Sequence, residues 1–134
     1  MRQENSKPLS IVIPVFNEVT FLRELFEQLK FHFNKENIEI IVVDDGSTDG
    51  SSNVLKQIKQ KGNYKFILKI IKLDINSGKG KALQIGIQNS NGEYILFQDA
   101  DLELDTKDAK EMYDMIIVNK DIKCIFGSRY LSGK

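Results

Sequence analysis

The chain has 134 residues, 41% of them hydrophobic, enough for one compact core and too few to suggest two domains. Its 19 basic and 19 acidic residues cancel, so the net charge offers no long-range field to draw in nucleic acid or an anionic membrane, and an anionic ligand must be held by local chemistry. The single cysteine, Cys124, excludes an internal disulfide and fits a cytoplasmic location. The polar start MRQENSKP lacks the apolar stretch of a secretory signal, and the run IEIIVV is far shorter than the roughly 20 residues that cross a bilayer. With no repeats or linkers, residues 1–134 read as a single domain. The final GSRYLSGK reads as a loop following a strand, as if the chain were truncated at its C-terminus.

Taken in order, LSIVIPVF (9–16) is an apolar run suited to a strand buried on both faces. Phe21, Leu22, Leu25, Phe26, Leu29 and Phe33 then recur at helical spacing with charged residues between them. IEIIVV (38–43) is a second strand, and Val54, Leu55 and Ile58 mark a helix closing at Gly62. FILKIIKL (66–73) is a third strand, followed by a helix over 79–91. YILFQ (94–98) is a fourth strand, and Ala109, Met112, Tyr113 and Ile116 give a helix that Thr106 is placed to cap. KCIF (123–126) is a fifth strand. Strands alternating with helices predict an α/β fold, a mainly parallel sheet with helices on both faces. Such sheets bind ligands at the carboxyl ends of their strands.

Polar motifs fall at those ends. DDGSTDG (44–50) follows the second strand. A plain strand-to-helix turn would account for one capping aspartate and for Gly46 at a positive backbone angle. Two adjacent aspartates also repel each other, and that repulsion has to be offset by a ligand or a donor. A carboxylate here is suited to accept a nucleobase N–H. DADLEL (99–104) follows the fourth strand. If the segment is extended, Asp99, Asp101 and Glu103 share one side and form a site for a hard cation such as Mg²⁺ or Mn²⁺, the alternative being a solvated acidic loop. NSGKGKA (76–82) meets neither the dinucleotide fingerprint nor the phosphate-loop pattern. Its backbone N–H groups and Lys79 or Lys81 can still approach a diphosphate. GSRY (127–130) puts Arg129 on the same edge, where a guanidinium suits phosphate. His32 and Cys124 read as structural, and no hydrolytic triad is present.

Through these residues the chain resembles the inverting nucleotide-sugar glycosyltransferases of family 2, which have the GT-A fold. The likeness runs from IVIPVFNE through VVDDGSTD and NSGKGKA to DADLEL and GSRY. The last two forms are most similar to the branch that makes dolichyl- and polyprenyl-phosphate sugars. The resemblance implies a Rossmann-like three-layer α/β/α sandwich in which Pro14, Phe16, Glu18 and Val43 line the nucleoside pocket and Asp45 contacts the base. Asp99, Asp101 and Glu103 would hold the divalent metal against the diphosphate of a UDP- or GDP-sugar, although relatives often carry Gln at the place of Glu103. Arg129 would touch phosphate and act with Asp101 in catalysis.

A lipid phosphate is the acceptor that this branch implies, with the full-length protein peripheral to the cytoplasmic membrane face. Assembly into a homo-oligomer is left open. Two alternatives remain: a donor-binding fragment without transferase activity, and a nucleotidyltransferase of similar topology. The second would carry a glycine-rich loop after the first strand, where this chain has PVFNE.

Overall fold

The computed structural model describes residues 7–102 and 105–118. Their elements follow in the order β1 (Lys7–Val15), α1 (Leu22–Phe33), β2 (Ile38–Asp45), α2 (Ser51–Lys61), β3 (Ile67–Leu73), α3 (Lys79–Gln88), β4 (Gly92–Phe97) and α4 (Thr106–Val118). Every strand pairing among them is parallel, and the sheet order is β3-β2-β1-β4. The α/β expectation is met. All eight residues of β2 are buried, which explains why that strand reads as a continuous apolar run and not an alternating one.

The larger core cluster joins the sheet to α1, α2 and α4 through residues such as Leu25, Phe26, Ile40, Leu55 and Ala109. The opposite face carries α3, over a smaller cluster of Ile41, Val43 and Ala82. These are the three layers the sequence implies. Close approach of α3 depends on Gly86, where a Cβ would stand 2.3 Å from Val12 Cγ1.

The strand order positions the site. The chain steps outward from β1 to β2 to β3, then returns to the far side of β1 to lay down β4. Its direction therefore reverses between β1 and β4. In parallel sheets the crevice beside such a switch, at the carboxyl ends, is where ligands bind.

Several boundaries differ from the sequence reading for identifiable reasons. β2 runs on through both aspartates because Asp44 and Asp45 stay in register with Lys72 and Leu73 of β3. α3 stops at Gln88 because Asn89 turns back, its Nδ2 donating to the Ile85 carbonyl at 2.9 Å and satisfying an end of the helix. Thr106 does not cap α4. Asp105 does, its Oδ1 accepting the Lys107 N–H at 2.9 Å, while the Thr106 hydroxyl donates to Gln28 Oε1 at 3.1 Å and ties α4 to α1.

A buried polar knot braces the amino end of the sheet. Glu39 of β2 accepts the Ser10 hydroxyl of β1 at 2.5 Å and the Asn91 N–H that precedes β4, and it pairs with Lys69 of β3 at 3.0 Å. Ser10 in turn accepts the Gly92 N–H at 2.7 Å. Burial alone would raise the Glu39 carboxyl, but these donors outweigh it and hold it below its ordinary value. A depressed carboxylate contributes stability that is present above its unfolded value and is lost as pH falls through the folded one. Glu39→Gln should therefore cost about 1–3 kcal/mol at neutral pH. Urea unfolding at neutral and acidic pH should show the deficit shrinking as the wild-type carboxyl protonates, and an equal deficit at both would contradict the charged brace.

Candidate functional site

The two aspartates at the tip of β2 do different work. Asp44 organises the turn that follows it: Oδ1 accepts the Ser47 N–H at 3.1 Å, and Oδ2 accepts the Ser52 hydroxyl. Asp45 reaches across to the loop before α3. Its Oδ1 accepts the Ser77 N–H at 2.7 Å, and its Oδ2 accepts the Gly78 N–H at 2.9 Å and Asn76 Nδ2 at 3.1 Å. The repulsion between the two carboxylates is thus offset by donors within the chain. Oδ1 of Asp45, with one donor, retains acceptor capacity toward a further group.

Gly46 makes this contact possible. Its φ is +73°, and a Cβ there would lie 2.5 Å from the Asn76 N atom, so both the backbone angle and the close approach require glycine.

A second set of hydrogen bonds locks the loop after β1 to the turn after β2. Asn17, at φ 53°, donates its N–H to Ser47 Oγ at 3.0 Å and accepts the Thr48 N–H at 2.8 Å. Glu18 N–H donates to Ser51 Oγ at 3.1 Å, and Val19 N–H donates to Asp49 Oδ2 at 3.1 Å. Asp49 also accepts the Ser51 N–H and hydroxyl at 3.0 and 2.6 Å. Desolvation works against ionisation of Asp49, but these donors hold its carboxyl below the ordinary value.

Between these loops lies a cleft of about 330 Å³ at the β1/β4 switch. β1 and its loop contribute Pro14, Val15, Phe16 and Glu18, β2 contributes Asp45, the α3 approach contributes Asn76, Gly78, Lys79 and Ala82, and the segment after β4 contributes Asp99 and Asp101. Phe16 keeps 45% of its surface exposed, so the cleft presents an uncovered aromatic ring. Val43 falls elsewhere. It is fully buried beneath α3 with Ile41 and Ala82, and it is not one of the lining residues.

The segment carrying Asp99 and Asp101 is not extended. The Gln98 N–H still donates to the Val12 carbonyl at 3.0 Å. The chain then turns at Ala100–Asp101, and Leu102 adopts φ 66°. Strict alternation is therefore not what brings the two aspartates together; the turn sets both against the cleft. Glu103 and Arg129, together with Cys124 and the strand expected at 123–126, lie outside the described residues.

Electrostatically the cleft is short of positive charge. The Glu18 carboxyl is raised above its ordinary value, first by desolvation and then by the negative charges of Asp101, Asp49 and Asp99. Lys79 Nζ sits 2.7 Å from Asp99 Oδ1, so an ammonium already occupies one cation position at this wall. Among the described residues no three metal-ligating side chains converge. Two carboxylates still suit Mg²⁺ or Mn²⁺, which take one or two from protein and the remaining oxygens from water and phosphate. The residues present fit such an ion.

Residues 10–133 match the family described as Glycosyl transferase family 2. The chain belongs to that family. It is 33% identical over 140 residues to the dolichyl-phosphate beta-glucosyltransferase of Dictyostelium discoideum, spanning 94% of this chain and 42% of that enzyme. The structure of S. aureus TarS 1–349 in complex with UDP superposes with a TM-score of 0.64 at 31% identity, covering 80% of this chain and 32% of that one. The fold is also that of the mannosyltransferase PcManGT from Pyrobaculum calidifontis, solved with GDP-Man and Mn²⁺, at a TM-score of 0.65 and 22% identity over 72% of this chain and 29% of that one. The family 2 chain described here thus spans less than half the length of each. These likenesses agree with the GT-A sandwich that the motifs imply.

Asn17, Asp49 and Asn76 were not singled out from the sequence, although each shapes the family 2 cleft. The available signal was turn chemistry, since Asn and Asp in loops bond nearby backbone and tolerate left-handed angles. Asp45→Ala should destabilise the chain by about 1–3 kcal/mol. It should also speed hydrogen exchange at the Ser77 and Gly78 amides, and unchanged exchange there would dismiss the clamp. Glu18 obeys the opposite sign from Glu39. A raised carboxylate favours the fold below its unfolded value and opposes it as pH rises through the folded one. Glu18→Gln should therefore raise the metal-free melting temperature at neutral pH, with the gain fading on acidification.

Proposed function

We propose that this chain is the donor-binding part of an inverting glycosyltransferase that moves a sugar from a UDP- or GDP-sugar onto a dolichyl- or polyprenyl-phosphate acceptor. One observation carries the reading: Asp45, Asp99 and Asp101 border a single cleft of about 330 Å³ at the β1/β4 switch. Phe16 and Pro14 offer apolar surface to the base. Asp45 Oδ1 is placed to accept a base N–H while its other contacts hold the loop. Lys79 and the N-terminus of α3 line the same cleft and would meet the diphosphate.

Asp99 and Asp101, with Glu103 and Arg129 proposed from the sequence alone, complete the phosphate end. A bound Mg²⁺ or Mn²⁺ would supply charge neutralisation on the departing nucleoside diphosphate. Lys79, which pairs with Asp99 at 2.7 Å, would turn to a phosphate oxygen of the donor, adding positive charge where negative charge develops. An acceptor oxygen attacks the anomeric carbon from the face opposite the diphosphate as the carbon–oxygen bond to that group breaks, and configuration inverts. A phosphate acceptor is already anionic and needs no general base. The dolichyl-phosphate enzyme of Dictyostelium discoideum is similar along 94% of this chain, which supports that acceptor class.

A second reading is a chain that binds donor without itself transferring sugar. Product assays separate the two. In a thermal-shift panel of UDP- and GDP-sugars with and without Mn²⁺, a ligand at a hundred times its Kd should stabilise the fold by about 2.7 kcal/mol. Asp101→Ala should abolish the metal-dependent part of the shift, and a shift of full size in that variant would count against the cation role.

A further inference from the structure

The balance of charge by count conceals a separation in space. Residues 51–72, through α2 and most of β3, carry six lysines and no carboxylate, whereas residues 93–114 carry eight carboxylates against two lysines. Among the described residues the sheet order sets β3 at one border and β4 at the other. On the helical face α1 contacts both α2 and α4, so α2 lies on the β3 side and α4 on the β4 side. Among the described residues the α2/β3 flank is basic and the β4/α4 flank acidic.

On the basic edge Lys56, Lys59, Lys65 and Lys72 are exposed, and among the described residues none enters an ion pair. Gln57 and Lys61, four residues apart on α2, border the α1 side, where Gln57 bonds Arg23 at 2.5 Å. Lys56 and Lys59 stand on the other side of that helix, toward β3. Two large apolar side chains share this edge: Ile67, 42% exposed, and Ile75, 75% exposed.

We propose that the α2/β3 edge is a docking surface for an anionic lipid bilayer, with lysines facing the headgroups and the isoleucines at the acyl boundary. Lysines on an edge strand also discourage strand pairing between copies, but Lys56 and Lys59 are on a helix, where that purpose does not arise. A second copy presenting the same edge would be repelled. Single-stranded nucleic acid would want open aromatic faces to stack on. The rings nearest this edge, Tyr64 and Phe66, are stacked on each other with centroids 4.6 Å apart, and Phe66 is buried. Cations interleaved with aliphatic side chains match a lipid interface better. The same edge runs through Lys72 and Ile75 into the Asn76–Gly78 loop that walls the cleft, so a bilayer docked there lies beside the cleft mouth. The inference rests on charge and exposure and is independent of the donor-site reading.

Flotation with vesicles tests it. The wild-type chain should bind phosphatidylcholine vesicles containing phosphatidylglycerol, ignore phosphatidylcholine alone, and release at high salt. Each lysine near the surface should contribute about fivefold, so Lys56→Gln, Lys59→Gln and Lys72→Gln together should weaken partitioning by about a hundredfold. Lys107→Gln with Lys110→Gln on the acidic edge should change nothing. Ile75→Ser should weaken binding while leaving the salt dependence intact. No preference for phosphatidylglycerol, wild-type binding by the triple variant, equal loss in the acidic-edge control, or tighter binding to a single-stranded RNA oligonucleotide would each overturn the proposal. Should the triple variant fail to unfold at the wild-type temperature, the lipid and salt dependence of the wild-type chain decide alone. The nucleotide thermal shift in solution is unaffected by either outcome, so failure here leaves the donor reading standing.

Discussion

Two buried carboxylates at the tip of β2 set the geometry of everything around the cleft. Asp44 and Asp45 are almost wholly removed from solvent, and polar side chains in that position are tolerated only with hydrogen-bond partners of good geometry. The donors come from two different segments: the turn after β2 with the start of α2 for Asp44, and the Asn76–Gly78 loop for Asp45. The need to satisfy two carboxyl groups thus fixes the positions of two segments. Gly46 completes the arrangement because only a residue without Cβ fits against Asn76 at that angle.

The cleft built by those loops has an electrostatic character that suits its proposed ligand. Glu18, Asp99 and Asp101 place carboxyl groups on two walls, and the Glu18 carboxyl is held above its ordinary value first by desolvation and then by the negative charges of Asp101, Asp49 and Asp99. A nucleoside diphosphate could not approach such a wall unaided, since like charges at short range repel. The ammonium of Lys79 on Asp99 and a proposed divalent cation resolve the conflict in the same way, by placing positive charge between carboxylate and phosphate. On the proposed reading, repulsion among these carboxylates is relieved by a cation.

Charge is organised on a larger scale as well. Sheet topology carries lysine-rich α2 and β3 to one flank and the carboxylate-rich β4–α4 region to the other, so among the described residues charge is separated by position in a chain neutral by count. Net charge bounds the far field of a molecule, whereas the field near a surface depends on which elements the fold places there.

The alternation of apolar runs and amphipathic stripes was sufficient to determine the α/β class, because burying a run such as IEIIVV on both faces requires helices above and below it. Motifs at strand ends were legible for the same reason: a parallel sheet gathers the carboxyl ends of its strands at one rim. What the sequence could not decide was which polar groups would satisfy one another. Asp45 meets Ser77 and Gly78 across more than thirty residues of chain, Glu39 links all four strands, and Asp99 and Asp101 meet the cleft through a turn and not through strand alternation. Val43 shows the same limit from the other side, adjoining a polar motif in sequence while packed beneath α3. Local periodicity reports which face of an element is buried; only the tertiary structure determines the partner of each buried charge, because that pairing depends on distances between segments that the chain order leaves free.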